Sequence, residues 1–312
     1  MDLVPSAVPR CPQTVHIRPA GGTIGVMTAT ADRNAVPRIA LNSGRTIPQL
    51  GYGTFKVAPA DAAAAVGAAL ESGYRHIDTA QMYGNEAEVG TGIAASGIGR
   101  SDLFLTSKLN NGNHRPDDAR RSFEESLAKL GTDYLDLFLI HWPLPTRYDG
   151  DFVSTWKVLE EFAADGRARS IGVSNFQVPH LQRLLDDADT IPAVNQVEVH
   201  PWFGNEEVRA FCREQGIAVE AWSPLAQGAV MDEPVVKELA ESLGRTAAQV
   251  VLRWHLQRGD IVFPKSMSPA RMRENFALFD FELDGDAMAR LSTLDRGADG
   301  RVGPDPDTFD LV

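Results

Sequence analysis

From residue 49 onward the chain alternates short runs of aliphatic, β-branched and aromatic residues with longer stretches of helical period. Strand-like runs are read at 49–53, 74–78, 103–107, 134–141, 170–173, 193–198, 218–222 and 261–263. Helical patterns fall between or after them at 62–72, 117–130, 152–165, 178–186, 206–215, 247–258 and 270–278. Asp61 reads as the cap of the first of these helices and Gly73 as its stop. A strand that returns through a helix pairs in parallel with the next one. Eight such units in roughly 250 residues predict an α/β fold, a (β/α)8 TIM barrel. Ahead of the first barrel strand, residues 38–47 read as a β-hairpin turning about Asn42, Ser43 and Gly44. Residues 1–36 lack periodicity and read as a flexible N-terminal extension, with Met27 as an alternative start, leaving 37–312 for the barrel.

The barrel architecture dictates where chemistry should sit, because active sites in this fold lie at the C-terminal ends of the strands. Asp78 ends the second strand-like run, Lys108 follows the third, His141 ends the fourth, and Tyr83 lies in the loop after the second. Three of them have an ordinary alternative: Asp78 as a helix cap, Tyr83 as a packing side chain, His141 as a structural histidine in competition with His76 and His200. A charge at the end of an apolar strand needs a partner, and Lys108 on the neighbouring strand supplies one. A phenol with a reference pKa of about 10 becomes a better acid beside an ammonium. Carboxylate, phenol, ammonium and imidazole together form a candidate proton-transfer site.

Composition narrows the remaining classes. The chain has 312 residues and a formal charge of -12, which argues against a nucleic-acid surface. Cys11 and Cys212 are the two cysteines, too few for a disulfide framework or a paired-cysteine metal site. They fit a reducing cytoplasm, the expected location. No apolar run approaches the roughly 20 residues that cross a bilayer. The 7 histidines show neither HxH nor HExxH spacing, so no metal is expected. Gly90-Thr-Gly92-Ile-Ala-Ala95 matches a dinucleotide fingerprint, but it follows a polar helical stretch instead of a hydrophobic strand. It reads as a helix whose glycines permit close packing.

The four residues and their order, within Asp78-Thr-Ala-Gln-Met-Tyr83-Gly-Asn-Glu86, Thr106-Ser-Lys108-Leu109 and Ile140-His141-Trp142-Pro143, closely resemble the aldo-keto reductase family. The resemblance runs from about Pro37 to the C-terminus and is strongest to the bacterial branch that includes 2,5-diketo-D-gluconate reductases. It implies a hairpin plugging the barrel floor and a C-terminal segment, 295–312, folding over the substrate pocket as a lid. It implies that Tyr83 is the general acid, that Lys108 depresses its pKa, that Asp78 holds Lys108, and that His141 orients the substrate carbonyl.

The resemblance also implies an NADPH/NADP+ site. Ser174, Asn175 and Gln196 match residues that bind the nicotinamide carboxamide. Trp222, Ser223 and Leu225 lie in a stretch whose aromatic stacks on the nicotinamide and whose backbone approaches the pyrophosphate. Lys265, Ser266 and Arg271 match the 2'-phosphate segment, and Glu274 and Asn275 the adenine contacts. Two cations and a hydroxyl at a helix start suit a phosphomonoester. Phe55 and Trp142 would line an apolar pocket for a small carbonyl substrate. One departure stands out: Asn110 follows Lys108-Leu109 where that branch commonly carries Trp, so substrate identity does not transfer. The implied protein is an NADPH-dependent carbonyl reductase of small aldehydes, ketones or α-dicarbonyls, a monomer with no nucleic-acid or membrane partner. A nucleotide-sensing barrel without turnover and an unrelated phosphate-binding or metal-dependent barrel are the alternatives.

Overall fold

The computed structural model describes residues 36–312. The expected extension over 1–36 lies outside the described residues, apart from Val36. Two short antiparallel strands come first, β1 (Arg38–Ala40) and β2 (Thr46–Pro48), joined through Gly44 in the left-handed region.

Eight parallel strands follow in sequence order: β3 (Tyr52–Gly53), β4 (His76–Asp78), β5 (Phe104–Leu109), β6 (Leu137–Ile140), β7 (Ile171–Ser174), β8 (Val194–Glu198), β9 (Ala218–Trp222) and β10 (Ile261–Val262). The first and last meet through Gly51 N donating to Val262 O at 2.8 Å and Val262 N donating to Gln49 O at 3.0 Å, which closes the barrel. All eight strand-like runs are strands: most are trimmed at their ends, 218–222 is unchanged, and those at 103–107 and 170–173 extend further at their C-terminal ends, to Leu109 and Ser174. Lys108 lies inside β5 instead of after it.

The helices are α1 (Pro59–Glu71), α2 (Glu86–Ala95), α3 (Pro116–Leu130), α4 (Phe152–Ala164), α5 (Val178–Asp187), α6 (Glu206–Glu214), α7 (Pro234–Leu243), α8 (Ala247–Gln257), α9 (Pro269–Phe276) and α10 (Gly285–Ser292). The cap expected at Asp61 is displaced: α1 starts after Ala58 with Pro59 in its first turn, because proline fits a position whose N–H has no helical partner, and Asp61 sits inside that turn. The fingerprint-like Gly90 and Gly92 lie in α2. A Cβ on Gly90 would sit 2.7 Å from Leu130 O, and one on Gly92 would sit 2.7 Å from Ala63 O. These glycines therefore serve the close approach of α2 to α1 and to the end of α3.

Side chains alternate along each strand between the helix layer and the barrel interior. The outward set joins the helices in the main core, with Ile77, Leu105, Phe138, Ile140, Val173 and Val197 among its buried members. The inward set begins as an apolar floor of Phe104, Leu137, Leu139, Val194 and Ile261, against which Leu41 and Ile47 of the hairpin pack. Further along the strands it turns polar, with His76, Asp78, Thr106, Lys108, Gln196 and Glu220 all buried. This switch from floor to mouth places the site.

Candidate active site

Neighbouring β4 and β5 bring Asp78 and Lys108 together, with Nζ donating to Oδ1 at 2.7 Å and both side chains essentially without solvent contact. Lys108 Nζ also donates to Thr79 O at 2.9 Å and to the Tyr83 hydroxyl at 3.3 Å, and it stands 5.0 Å from the Tyr83 ring centroid. One ammonium thus joins carboxylate and phenol. Tyr83 ends a single 3-10 turn, Gln81–Tyr83, which Gly84 closes at φ 66°. Gln81 anchors that turn by donating to Ser122 O and Ser126 Oγ, both at 2.9 Å, and by accepting from Asn110 N at 2.8 Å. The His141 ring lies 5.8 Å from that of Tyr83. The structure therefore brings all four expected residues to one end of the barrel.

Their electrostatics follow from burial and from the single cation. Burial works against the Lys108 ammonium more than any one neighbour favours it, but Asp78, Tyr83 and Glu220 together outweigh it and the pKa is raised. His141 is held well below the ordinary histidine range, first by burial and then by Lys108 and His114, so its ring is neutral. The phenol of Tyr83 is a partial correction to the sequence expectation. Lys108 does lower its pKa, yet burial raises it more and the Asp78 charge adds to the rise, so the net direction is upward. A buried phenolate loses its water before it gains the ammonium. Asp78 is the ionised partner of Lys108, since Oδ1 takes the ammonium and Oδ2 accepts from Gln196 Nε2 at 2.9 Å.

Facing this cluster, β7 and β8 supply the residues expected at the nicotinamide. Ser174 Oγ donates to Gln196 O at 2.8 Å, and Asn175 Nδ2 donates to His141 O at 2.9 Å and to Ser174 Oγ at 3.1 Å. Trp222 Nε1 donates to Asn175 Oδ1 at 2.8 Å. Gln196 spends its amide hydrogens on two buried carboxyls, Asp78 and Glu220, leaving its Oε1 to accept from a bound amide. Left-handed backbone in residues other than glycine recurs in the loops after β3, β6, β7 and β9, at Lys56, Leu144, Asn175 and Ser223. Such conformations concentrate where structure is held for function. Leu225, next along that loop from Ser223, is half-buried against the core.

After β10, the Tyr52 hydroxyl donates to Ser266 O at 2.8 Å and fixes the turn into α9. Ser266 and Asn275 are buried, Glu274 is half-buried, and Lys265 and Arg271 are exposed. Among the described residues neither cation has an ion-pair partner. Ser268 caps α9 by accepting from Arg271 N. Two uncompensated cations, a buried serine and a capped helix start form a donor set that fits a phosphomonoester.

Phe55 is 53% exposed with its ring 5.1 Å from Tyr83, and Trp142 is buried under Phe309 at 4.1 Å. Phe309 belongs to the C-terminal segment, which crosses the same end of the barrel. Glu198 accepts from Val302 N at 2.6 Å and from Gly303 N at 3.1 Å, and Asn111 Nδ2 donates to Leu311 O at 2.7 Å. A Cβ on Gly303 would sit 2.3 Å from Trp222 Cη2, so only glycine lets the tail lie on that indole.

The sequence reading passes over Phe309, Glu198 and Glu220. Glu220 carries a local signal as a single acid at the centre of Ala218-Val-Glu-Ala-Trp222, and Glu198 carries one as the charge that ends β8. Among the described residues, no three His, Cys, Asp or Glu side chains converge to hold a metal ion, and no helix is long and apolar enough to cross a membrane.

The family model described as the aldo/keto reductase family matches residues 49–296. An aldo-keto reductase of Mycobacterium sp. (strain KMS) is 50% identical over 276 residues, covering 88% of this chain and 99% of that protein. The methylglyoxal reductase DkgA of Salmonella typhimurium (strain LT2) is 46% identical over 274 residues, with coverage of 87% and 97%. A solved structure of a Gox0644 mutant in complex with NADPH matches with a TM-score of 0.85 at 43% identity, covering 89% of this chain and all of that one.

Proposed function

The chain belongs to the aldo/keto reductase family, and from that premise we propose that it is an NADPH-dependent reductase of small aldehydes and ketones, α-dicarbonyls such as methylglyoxal included. The observation that carries this reading is the branched contact of Lys108 Nζ, at 2.7 Å from Asp78 Oδ1 and 3.3 Å from the Tyr83 hydroxyl. It gives a phenol a cation to lean on at the moment the proton leaves.

NADPH, when bound, supplies the hydride to the carbonyl carbon. The chain's own residues do the rest. The Tyr83 hydroxyl donates its proton to the carbonyl oxygen, which becomes the alcohol hydroxyl, and Lys108 stabilises the phenolate left behind until it is reprotonated from water. Neutral His141 directs an N–H at the same oxygen and so fixes the face presented to the hydride. Asp78 holds Lys108 in line, and Thr79 O takes a second ammonium hydrogen. Gln196 Oε1, Ser174 and Asn175 orient the carboxamide, with Trp222 against the ring. Ser223 and Leu225 belong to the loop that follows the pyrophosphate, and Glu274 and Asn275 reach the adenine.

Lys265, Ser266 and Arg271 hold the 2'-phosphate, and the lack of an acidic partner for either cation among the described residues supports NADPH over NADH. Phe55 and Trp142 wall the substrate pocket, and Asn110 makes that wall more polar than a tryptophan would. We take 37–312 as the catalytic unit, acting as a cytoplasmic monomer.

The test is to titrate the protein with NADPH while following tryptophan fluorescence, with Trp222→Phe as control, and then to add methylglyoxal and follow loss of the nicotinamide absorbance. Quenching that depends on Trp222, followed by turnover, is the expected result. Binding without turnover would move the protein to a sensing role, and no binding would overturn the cofactor assignment.

A further inference from the structure

We propose that Glu220 is a positioning residue of this site: a carboxylic acid kept neutral beneath the catalytic cluster, so that a single negative charge faces Lys108. Gln196 Nε2 donates to Asp78 Oδ2 at 2.9 Å and to Glu220 Oε2 at 2.8 Å, so two carboxyl groups share one amide. Neither has solvent contact of any consequence. The cluster has one ammonium, and it bonds to Asp78, not to Glu220. Two ionised carboxylates there would leave one buried charge uncompensated, and a proton on one of them removes that penalty. Burial raises both carboxyls, and the direct contact of Lys108 draws Asp78 back down, so Asp78 is the ionised member and Glu220 the protonated one.

The other groups around Glu220 do not change this assignment. From β4 it faces His76, whose Nε2 is 3.7 Å from Oε1, too far for a hydrogen bond. Among the described residues, Glu220 Oε1 and His76 Nδ1 both lack a partner. Burial lowers the His76 pKa to about 3, so no second cation is available from that side. β5 contributes Lys108, β8 contributes the neutral Gln196, and β10 contributes the apolar Ile261 and Val262. Burial and then the charge on Asp78 push the Glu220 carboxyl up to about 8, against the opposing pull of Gln196 and Lys108. Glu220 therefore changes charge inside the range where enzymes are assayed.

The inference rests on the reading of Tyr83 as proton donor, and it predicts that reductase activity falls on the alkaline side as Glu220 ionises. When Glu220 ionises, a second negative charge enters the cluster. Phenolate formation at Tyr83 is then opposed, as Asp78 already opposes it, and proton donation slows. Gln is the shape of the neutral acid, so Glu220→Gln should behave as the enzyme with that proton locked on.

The experiment has two arms. In the first, the infrared carbonyl band of protonated glutamate is followed against pH in protein labelled with ¹³C at glutamate carboxyls, which separates Glu220 from Asp78. A band lost with a midpoint about 8, missing from Glu220→Gln and kept in Glu86→Gln, is expected. Glu86 serves as control because it is the other buried glutamate whose carboxyl is raised, first by burial.

In the second arm, kcat for methylglyoxal reduction should fall about three- to tenfold from pH 7 to 9 in the parent protein and stay nearly flat in Glu220→Gln, with KM unchanged. Superimposable profiles, or no glutamate titrating between pH 7 and 9, would overturn the proposal. The infrared arm decides the protonation without turnover, and it does so in the parent and Glu86→Gln proteins if Glu220→Gln fails to fold. Failure of the parent protein to reduce any carbonyl would strike the reductase reading and leave that arm standing.

Discussion

Replacing Lys108 by Met tests the cluster through stability, before any question of turnover. At 2.7 Å and an effective dielectric near 20, the attraction between Lys108 and Asp78 is about 6 kcal/mol. Burying both ions costs several kcal/mol each, so the intact pair contributes little net stability. Breaking it is a different matter, because Lys108→Met strands the Asp78 carboxylate with Gln196 as its remaining donor. The expected loss is about 3–5 kcal/mol, and Asp78→Asn should lose a similar amount by stranding the ammonium. The double variant removes both charges and leaves chiefly the orphaned Thr79 carbonyl, a loss of about 1–3 kcal/mol. The two single losses should therefore exceed the double by several kcal/mol.

Urea unfolding followed by circular dichroism at pH 7 and pH 5 measures all three. In Lys108→Met the stranded Asp78 can escape its penalty by taking a proton, so that variant should lose less at pH 5 than at pH 7. Additive losses, or a Lys108→Met loss below about 1 kcal/mol, would refute the reasoning.

Further outcomes follow from the same structure. Lys265→Ala with Arg271→Ala should weaken NADPH at least tenfold while NADH changes by about threefold or less, since each lost charge-assisted bond is worth roughly 1.5–3 kcal/mol; equal losses measured by fluorescence titration would remove the 2'-phosphate assignment. Gly92→Ala must push α2 from the Ala63 carbonyl 2.7 Å away, a loss of about 1–3 kcal/mol. Gly67→Ala in α1, with nothing within 4 Å of its added Cβ, should instead stabilise by up to about 1 kcal/mol.

Burial lowers the pKa of His76 to about 3 and of His114 to about 4, and His141, His180 and His255 also shift downward. The unfolded chain therefore takes up protons below about pH 6.5 that the folded chain refuses. Each such group removes up to about 1.4 kcal/mol of stability per pH unit below that point. Urea midpoints should fall steeply from pH 6.5 toward 5, and His114→Asn should flatten the fall; a level profile would contradict the neutral, buried state of these rings.

The barrel strands were legible as short apolar, β-rich runs, buried on both faces, with a polar residue at the functional end, as at Asp78 and His141. The helices α3 and α4 were legible from their spacing and from stops such as Gly131. The helix α7 was equally readable, with Val236, Leu239 and Ala240 buried on one face and Gly244 left-handed at its end. It is absent from the sequence reading, and in the fold it is a second helix, besides α8, between β9 and β10. The helix α10 packs through Ala287 and Leu291 just ahead of the aperiodic tail.

Asp78, Tyr83, Lys108 and His141 share one end of the barrel, as strand ends alone suggested, but their titration was not readable. Burial at Tyr83 depends on what covers it, and no local pattern reports that. Glu220 escaped for the same reason: its neighbours Asp78 and Gln196 are 142 and 24 residues away in sequence. The tail on Trp142 and Trp222 likewise rests on long-range contacts through Phe309 and Gly303.

In the proposed mechanism the Tyr83 hydroxyl delivers the proton to a carbonyl reduced by NADPH. Tyr83→Phe removes that oxygen and leaves the ring against Phe55 and His141. With the variant and parent protein side by side, NADPH affinity from fluorescence and kcat for methylglyoxal settle the matter. An affinity within about twofold and a kcat reduced by a factor of about 10² to 10⁴ or more are expected; a variant that turns over at the parent rate would remove Tyr83 as the proton donor.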